Sequence, residues 1–293
     1  MAGEILALAS AVCIGFSNVF VKNVTPRFST LYLTALRLAI SSLIAIATAF
    51  IFSDLSVLAQ MEIRIIGVLL AAGVIVMVGH IALVKAISLD NVSRVAPATT
   101  GLYILACILI SIIATSNKVS SWTIFGGLMV LVGVYLLSKN DDSKFGLRNF
   151  LSLKLKLHAL LFASITGLSW AIGAVLMDIV VEHLAPIPAT AFRLSFMTLF
   201  IMAILVYKRN IVVKGLSQRD LIVVFISGLF LGISTLTFIG ALKLSTPAIV
   251  VVLNCTSPVF VAPLAVIWLK EKITKQVILG MSACLLGVLM TLI

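Results

Sequence analysis

Charge is what this sequence has least of. Asp, Glu, Lys and Arg together make up 11% of its 293 residues, against 62% hydrophobic residues. Soluble domains carry about 25% charged residues. A soluble fold of this length has no way to hide so much apolar surface, so most of the chain is expected to sit in lipid. Acid is scarcer than base, 10 residues against 21, and the net charge is +11. That excess does not imply a nucleic-acid partner, because the cations lie in short connections between apolar runs and not on one face or tail. Cysteine is scarce too. Cys13, Cys107, Cys255 and Cys284 all fall inside apolar runs, none at a metal-ligand spacing, and they read as small buried hydrophobes. The Asp141-Asp142 pair lacks the further acidic residue of an aspartate-rich metal motif and reads as solvated loop. No metal and no cofactor is expected. Also missing are a G-x-S-x-G elbow, H-E-x-x-H, a Walker loop and paired intramembrane aspartates. These absences argue against an enzyme and against an ATPase built into this chain, so any transport would run on gradients.

What the sequence has in plenty is long apolar runs. A spanning helix needs about 20 apolar residues. Runs bounded by charge, Pro or Gly give ten, at 4–22, 29–52, 63–85, 93–115, 119–138, 156–180, 187–207, 219–242, 247–269 and 274–293. The first opens on Met-Ala-Gly-Glu, without the positive n-region of a cleaved signal, and is expected to be a retained helix. The longest connection, "KNDDSKFGLRNFLSLKL" from Lys139 to Leu155, is polar and mixed in charge. It divides the chain into 1–138, a linker at 139–155, and 156–293. An even number of spans puts both termini on one side. Fifteen of the 21 cations fall in the connections opposite the termini and three on the terminal side, while Arg37, Arg94 and Arg193 lie within spans. Basic connections face the cytoplasm. The expectation is a multi-pass protein of the cell (plasma or inner) membrane with both termini extracytoplasmic.

The chain also repeats itself. "GFSN" at Gly15–Asn18 matches "GLSW" at Gly167–Trp170, and "ALRLAISSL" around Arg37 matches "AFRLSFMTL" around Arg193. "FGGLMVLVGVYLL" matches "ILGMSACLLGVLMTL", with Gly126 and Gly133 against Gly280 and Gly287. The chain reads as two copies of a five-helix unit. Five is odd, so the second copy enters the membrane from the opposite side. Such inverted repeats belong to secondary transporters, whose sites lie near the midplane between the repeats.

The stretch "AIVVVLNCTSPVFVAPLAVIWLKEKITKQVILGMSACLLGVLM" resembles the end of an EamA-type repeat of the drug/metabolite transporter superfamily. The likeness rests on Ser257-Pro258 in mid-helix, the turn Lys270-Glu271-Lys272, and Gly280 with Gly287 in the final helix. "GLSWAIGAVL" resembles the family's first helix and Arg193 its second-helix arginine. The first half departs from the pattern: "TSNKVSS" lacks the Glu, "TTGLY" stands in place of Ser-Pro, and Asn18 stands where Trp170 does. The resemblance implies an all-α polytopic membrane protein of ten helices, in two inverted bundles around a central cavity. It also implies export or exchange of small metabolites, often amino acids.

In that architecture the first, third, fourth, sixth, eighth and ninth spans would line the cavity. Their polar or aromatic mid-span residues are the candidate solute contacts: Asn18, His80, Thr99, Thr100, Tyr103, Trp170, Asn254, Thr256 and Ser257. Trp170 and Tyr103 lie away from the interfacial belts where aromatics are usual, whereas Trp122 and Trp268 sit near span ends. His80 either bonds a neighbouring helix or meets solute or a proton. Pro258 removes a backbone hydrogen bond and frees a carbonyl near Asn254. Such a break is tolerated at membrane depth only against protein or a water-filled cavity. Asn254 and Ser257, three apart, would share the face looking into that cavity. Arg37 and Arg193 either brace their bundles or hold an anionic group. Asp178, near Glu182 and His183, is either interfacial or couples a proton or other ion to transport. The glycine pairs, seven apart, allow close helix packing. Two other readings compete. A nucleotide-sugar or phosphorylated-sugar carrier would want more cavity cations than Arg37, Arg94 and Arg193. A non-transporting lipid-processing protein would need His80 and Asp178 together at one depth.

Overall fold

The computed structural model describes residues 1–53, 55–115, 147–208, 217–245, 247–272 and 274–290, with single residues at 122, 125, 126, 128, 129, 132, 133 and 136. The described chain is helical almost throughout. In order it forms α1 (Ala2–Val24), α2 (Thr30–Phe52), a 3₁₀ turn (Leu55–Gln60), α3 (Ile63–Leu89), α4 (Val92–Thr115), α5 (Leu147–His183), α6 (Pro186–Lys208), α7 (Gln218–Leu244), α8 (Pro247–Asn254), α9 (Ser257–Leu269) and α10 (Lys275–Met290). Among the described residues, seven stretches are long and apolar enough to cross a bilayer: α1, α2, α3, α6 and α7 whole, Leu155–His183 of α5, and Ile249–Leu269 across α8 and α9. The expected span at 119–138 lies largely outside the described residues, as does much of the expected linker.

α5 departs from the expectation. It runs 37 residues and begins at Leu147, inside the segment read as linker. Charge decides whether a segment crosses lipid, but not whether it is helical. From Leu147 to Thr166 there is no Pro or Gly, and Leu147, Phe150 and Leu151 repeat at helical spacing.

The bundle is organised by two antiparallel pairs, α1 with α7 and α3 with α5. Lipid supplies no hydrophobic drive for helix association, so small residues and inter-helix hydrogen bonds set the contacts. On α1 and α7 the contact is serine to serine. Ser10 Oγ donates to the Ser234 carbonyl at 2.8 Å and Ser234 Oγ returns a bond to the Ser10 carbonyl at 3.0 Å. One turn-pair along, Ser17 Oγ donates to the Ser227 carbonyl at 2.7 Å and Ser227 Oγ to the Ser17 carbonyl at 2.9 Å. On α3 and α5 glycine does the same work: Gly79 meets Ser169 and Trp170, and Gly173 is pressed against Val76. α5 also presses on α4, where a Cβ on Gly167 would sit 2.7 Å from the Tyr103 backbone nitrogen. Gly133 meets the last helix, with a Cβ there falling 2.7 Å from both the Gly280 carbonyl oxygen and the Cys284 nitrogen.

Several charged residues are used at helix ends, where backbone groups lack intrahelical partners. The Glu271 carboxylate accepts from the Val92 and Ser93 nitrogens at 3.0 and 3.1 Å and so caps the start of α4. Lys22 donates to the Ile87 and Asp90 carbonyls at 2.6 and 2.7 Å, closing α3. Lys243 donates to the Val181 carbonyl at 2.6 Å near the end of α5. Ser217 and Asp220 form a capping box at α7, and Asp220 pairs with Arg27.

Candidate functional site

Between the paired helices lies a cavity with about 80 Å³ open to the centres of water molecules. Its wall is built from single-faced stripes. α1 gives Ser10 and Ile14; α3 gives Val76 and His80; α5 gives Trp170, Gly173, Ala174 and Met177; α7 gives Leu231, Ser234, Thr235 and Phe238. On α1 and α3 these positions are four apart and on α5 and α7 they follow i, i+3, i+4, i+7, the spacings that keep side chains on one face. Tyr103 from α4, Arg193 from α6 and Asn254 from the end of α8 complete the wall.

The aromatic part is a cluster around Trp170. Its ring meets His80 edge-on at 5.8 Å between centroids and Tyr103 edge-on at 6.3 Å. Edge-to-face contacts at such distances suit the ring quadrupoles. His80 is buried and its Nδ1 has no partner among the described residues. The polar part starts at the Ser10–Ser234 pair. Ser10 spends its one proton on the Ser234 carbonyl, so its oxygen can only accept from a third group. Asn254 supplies that group, donating from Nδ2 to Ser10 Oγ at 2.9 Å. The donor requirement fixes the orientation of the amide and leaves the Asn254 carbonyl oxygen without a bond from the described residues. The same logic operates at Ser17, which accepts from Arg37 Nη2 at 2.7 Å.

α8 ends at Asn254 because the chain breaks there. Cys255 and Thr256 form a turn and α9 starts at Ser257, with Pro258 in its first turn. The Thr256 nitrogen bonds the Leu253 carbonyl, three residues back instead of four, at 3.2 Å. Thr256 Oγ1 bonds the same carbonyl at 2.7 Å, and Cys255 Sγ lies 3.7 Å from the Thr100 carbonyl of α4. These bonds meet the Leu253 carbonyl and tie the break to α4.

The profile of the EamA-like transporter family matches residues 1–139 and 157–293. The chain belongs to the EamA-like transporter family. It is a multi-pass membrane protein and a transporter, with lipid around it and a small-molecule solute as cargo. One relative of this EamA-like chain is an uncharacterized transporter of Archaeoglobus fulgidus, 24% identical over 216 residues, which cover 74% of this chain and 72% of that one. A solved crystal structure superposes with a TM-score of 0.66 at 18% identity, covering 96% of each chain, and shows the fold alone.

Of the candidate contacts in this EamA-like protein, the fold brings His80, Tyr103, Trp170 and Asn254 together at the cavity. The others are not in its wall. Asn18 and Thr99 are buried elsewhere, and Asn18 Oδ1 and Thr99 Oγ1 have no partner among the described residues. Thr100 Oγ1 turns back to the Ala96 and Pro97 carbonyls, both at 3.1 Å. Ser257 is buried but outside the cavity lining. A three-residue spacing implies a shared face only within one helix, and the break at Cys255 and Thr256 separates Asn254 from Ser257. Asp178 is half-buried and follows Met177, the last cavity residue of the α5 stripe. Asp178 itself is not among the wall residues, whereas His80 is. Arg37 lies outside the wall and Arg193 lies in it. Sequence reasoning missed Ser10, Ser234 and Thr235. The signal was present, since Ser10 and Ser17, like Ser227 and Ser234, are seven apart on one helix face, as the glycine pairs are.

Proposed function

We propose that this protein is a secondary transporter of small organic metabolites such as amino acids, exporting or exchanging them by alternating access through the cavity around Trp170. The architecture we infer is ten spans in two inverted five-helix repeats, 1–138 and 156–293, joined by a polar linker, with both termini extracytoplasmic. The observation that carries this reading is the wall itself. It draws on the first, third and fourth spans of the first half (Ser10, His80, Tyr103) and on their counterparts in the second (Trp170, Ser234, Asn254). The pairing of α1 with α7 and α3 with α5 supports inversion, because each joins the first span of one half to the third of the other. A site between two such halves can open to one side and then the other as the halves rock.

A carrier of phosphorylated sugars would want several cations at the site, and Arg193 is the one cation in the wall among the described residues. The reading is tested by counterflow in proteoliposomes containing the folded protein, with a broad panel of radiolabelled metabolites. The expected outcome is saturable uptake of at least one solute, driven by unlabelled solute inside. No solute-dependent flux across the panel would falsify it.

A further inference from the structure

We propose that Arg193 is the anchor for a single carboxylate of the solute, so that the cargo of this carrier is a small organic carboxylate with an apolar body. The inference rests on the transport reading for the word cargo, but not for the binding it asserts. Arg193 is 5% exposed and lines the cavity. Among the described residues it makes no hydrogen bond, its Nε has no partner, and the two ion pairs formed, Met1 with Glu4 and Arg27 with Asp220, do not involve it. A charge removed from water and left unpaired is among the costliest arrangements a protein can hold. A guanidinium facing a cavity recovers that cost by taking an anion from the cavity.

The rest of the wall says which anion. The guanidinium fork matches the two oxygens of a carboxylate. No second cation stands in the wall among the described residues: Arg37 is engaged with Ser17 and lies outside it. One carboxylate therefore neutralises the site, whereas a phosphate dianion would leave a negative charge buried. Beside the polar groups, Ile14, Met177, Leu231, Phe238 and the Trp170 ring offer an apolar and aromatic bed for the body of the solute.

The test is thermal unfolding of the purified full-length protein in detergent with matched probes: leucine, 4-methylpentanoate, leucinamide, isoamylamine and inorganic phosphate. The two carboxylates should stabilise the protein at concentrations roughly 10- to 100-fold lower than the amide and the amine, the range that a charge-assisted hydrogen-bond pair commands. Phosphate should be weak. In R193Q the preference for carboxylates should disappear. R193K keeps the charge without the fork and should retain part of it, and R37Q should keep it whole. Equal stabilisation by carboxylate and amide, a preference that survives in R193Q, phosphate binding best, or no binding by either carboxylate overturns the proposal. If R193Q does not fold, the wild-type panel and R193K decide. Counterflow separates this from the parent reading. Flux without carboxylate preference sinks the anchor alone. Carboxylate preference without flux of any solute sinks the transport reading and leaves the anchor standing.

Discussion

In the first half of the chain Arg37 donates to Ser17, whose hydroxyl is tied to Ser227 on another helix. In the second half Arg193 stands at the matching place in the sequence, also buried, lining the cavity and with no bond from the described residues. The same contrast runs through other matched positions. Asn18 is packed away from the cavity while Trp170 forms its centre. α4 is continuous from Val92 to Thr115, although Pro97 lies inside it, while the corresponding span of the second half breaks at Cys255 and Thr256. Gly15 has ordinary neighbours, the nearest 3.4 Å from a built Cβ, while Gly167 presses on the backbone of α4. On the two-repeat architecture we propose, both halves share one helical plan. Of the two arginines, that of the first half braces Ser17 and that of the second lines the cavity.

The largest effect should come from exchanging the arginines for methionine, one at a time. Arg37→Met leaves Ser17 without its charged donor and should destabilise the protein by about 1.5 to 3 kcal/mol, the range for hydrogen bonds to charged groups. Arg193→Met removes a buried charge that has no protein partner, and replacing such charges by apolar groups is neutral or stabilising by about 1 to 4 kcal/mol. Melting temperatures of the two variants in one detergent should therefore move in opposite directions, or one should fall while the other holds. Equal losses would show that both arginines are braces and would erase the contrast.

The glycines come next. Gly167→Ala puts a methyl group 2.7 Å from the Tyr103 nitrogen and 2.9 Å from the Leu102 carbonyl carbon, atoms that do not move without moving α4. Overpacking of this kind costs about 1 to 3 kcal/mol. Gly15→Ala meets only side-chain atoms and one carbonyl oxygen at 3.4 to 3.5 Å. It should be neutral, or stabilising by roughly 0.5 to 1 kcal/mol, because alanine suits a helix interior better than glycine. Thermal unfolding of the pair decides, and a Gly15→Ala protein as unstable as Gly167→Ala would contradict the ordinary contact that Gly15 makes with Ser257, Phe260 and Val261 of α9.

These pairs also show what was legible beforehand. Arg37 and Arg193, or Gly15 and Gly167, look equivalent in sequence, and the sequence does place both members of each pair at matching points of a helical repeat. Which member braces and which faces the cavity depends on the neighbouring helix, and no local pattern carries that. His80, Tyr103, Trp170 and Asn254 were legible as cavity groups because polar and aromatic residues at mid-span need an interior surface. Ser257 was misplaced because its partner spacing with Asn254 assumed an unbroken helix, although Pro258 itself signalled the break. The Glu271 cap is half-legible: the turn Lys270-Glu271-Lys272 stands out in the sequence, but its target at Val92 and Ser93 is distant in sequence.

That cap provides a smaller effect. The first-half turn "TSNKVSS" has no Glu, so only one half can place a carboxylate in this way. Glu271→Gln keeps an acceptor but loses the charge at the start of α4, a loss of about 0.3 to 1 kcal/mol for a charge near a helix N-terminus. Glu271→Ala removes the acceptor as well and should approach the roughly 0.5 to 2 kcal/mol of a lost cap. If Glu271→Ala melts with wild type, the carboxylate contributes nothing to holding α4 and the turn serves some other purpose.

The smallest change in stability, and the sharpest question about the halves, belongs to Pro258→Ala. Alanine at Pro258 supplies a nitrogen that can bond the Asn254 carbonyl and let α8 run on into α9, as α4 runs on through the matching stretch. Two terms oppose each other: a gained helical bond, and the loss of about 0.4 to 1 kcal/mol that proline contributes by restricting the unfolded chain. Stability should thus change little, and hydrogen exchange is the better readout. If the proline makes the break, amides of Cys255 to Val259 should exchange more slowly in Pro258→Ala, and the second half becomes more like the first. If they exchange as in wild type, the break is held by packing instead, by Thr256 Oγ1 on the Leu253 carbonyl and Cys255 Sγ against the Thr100 carbonyl. Such a result would mean that the contact with α4 distinguishes the halves, because α4 and α8 meet at Thr100 and Cys255 and only one of the two chains there is bent.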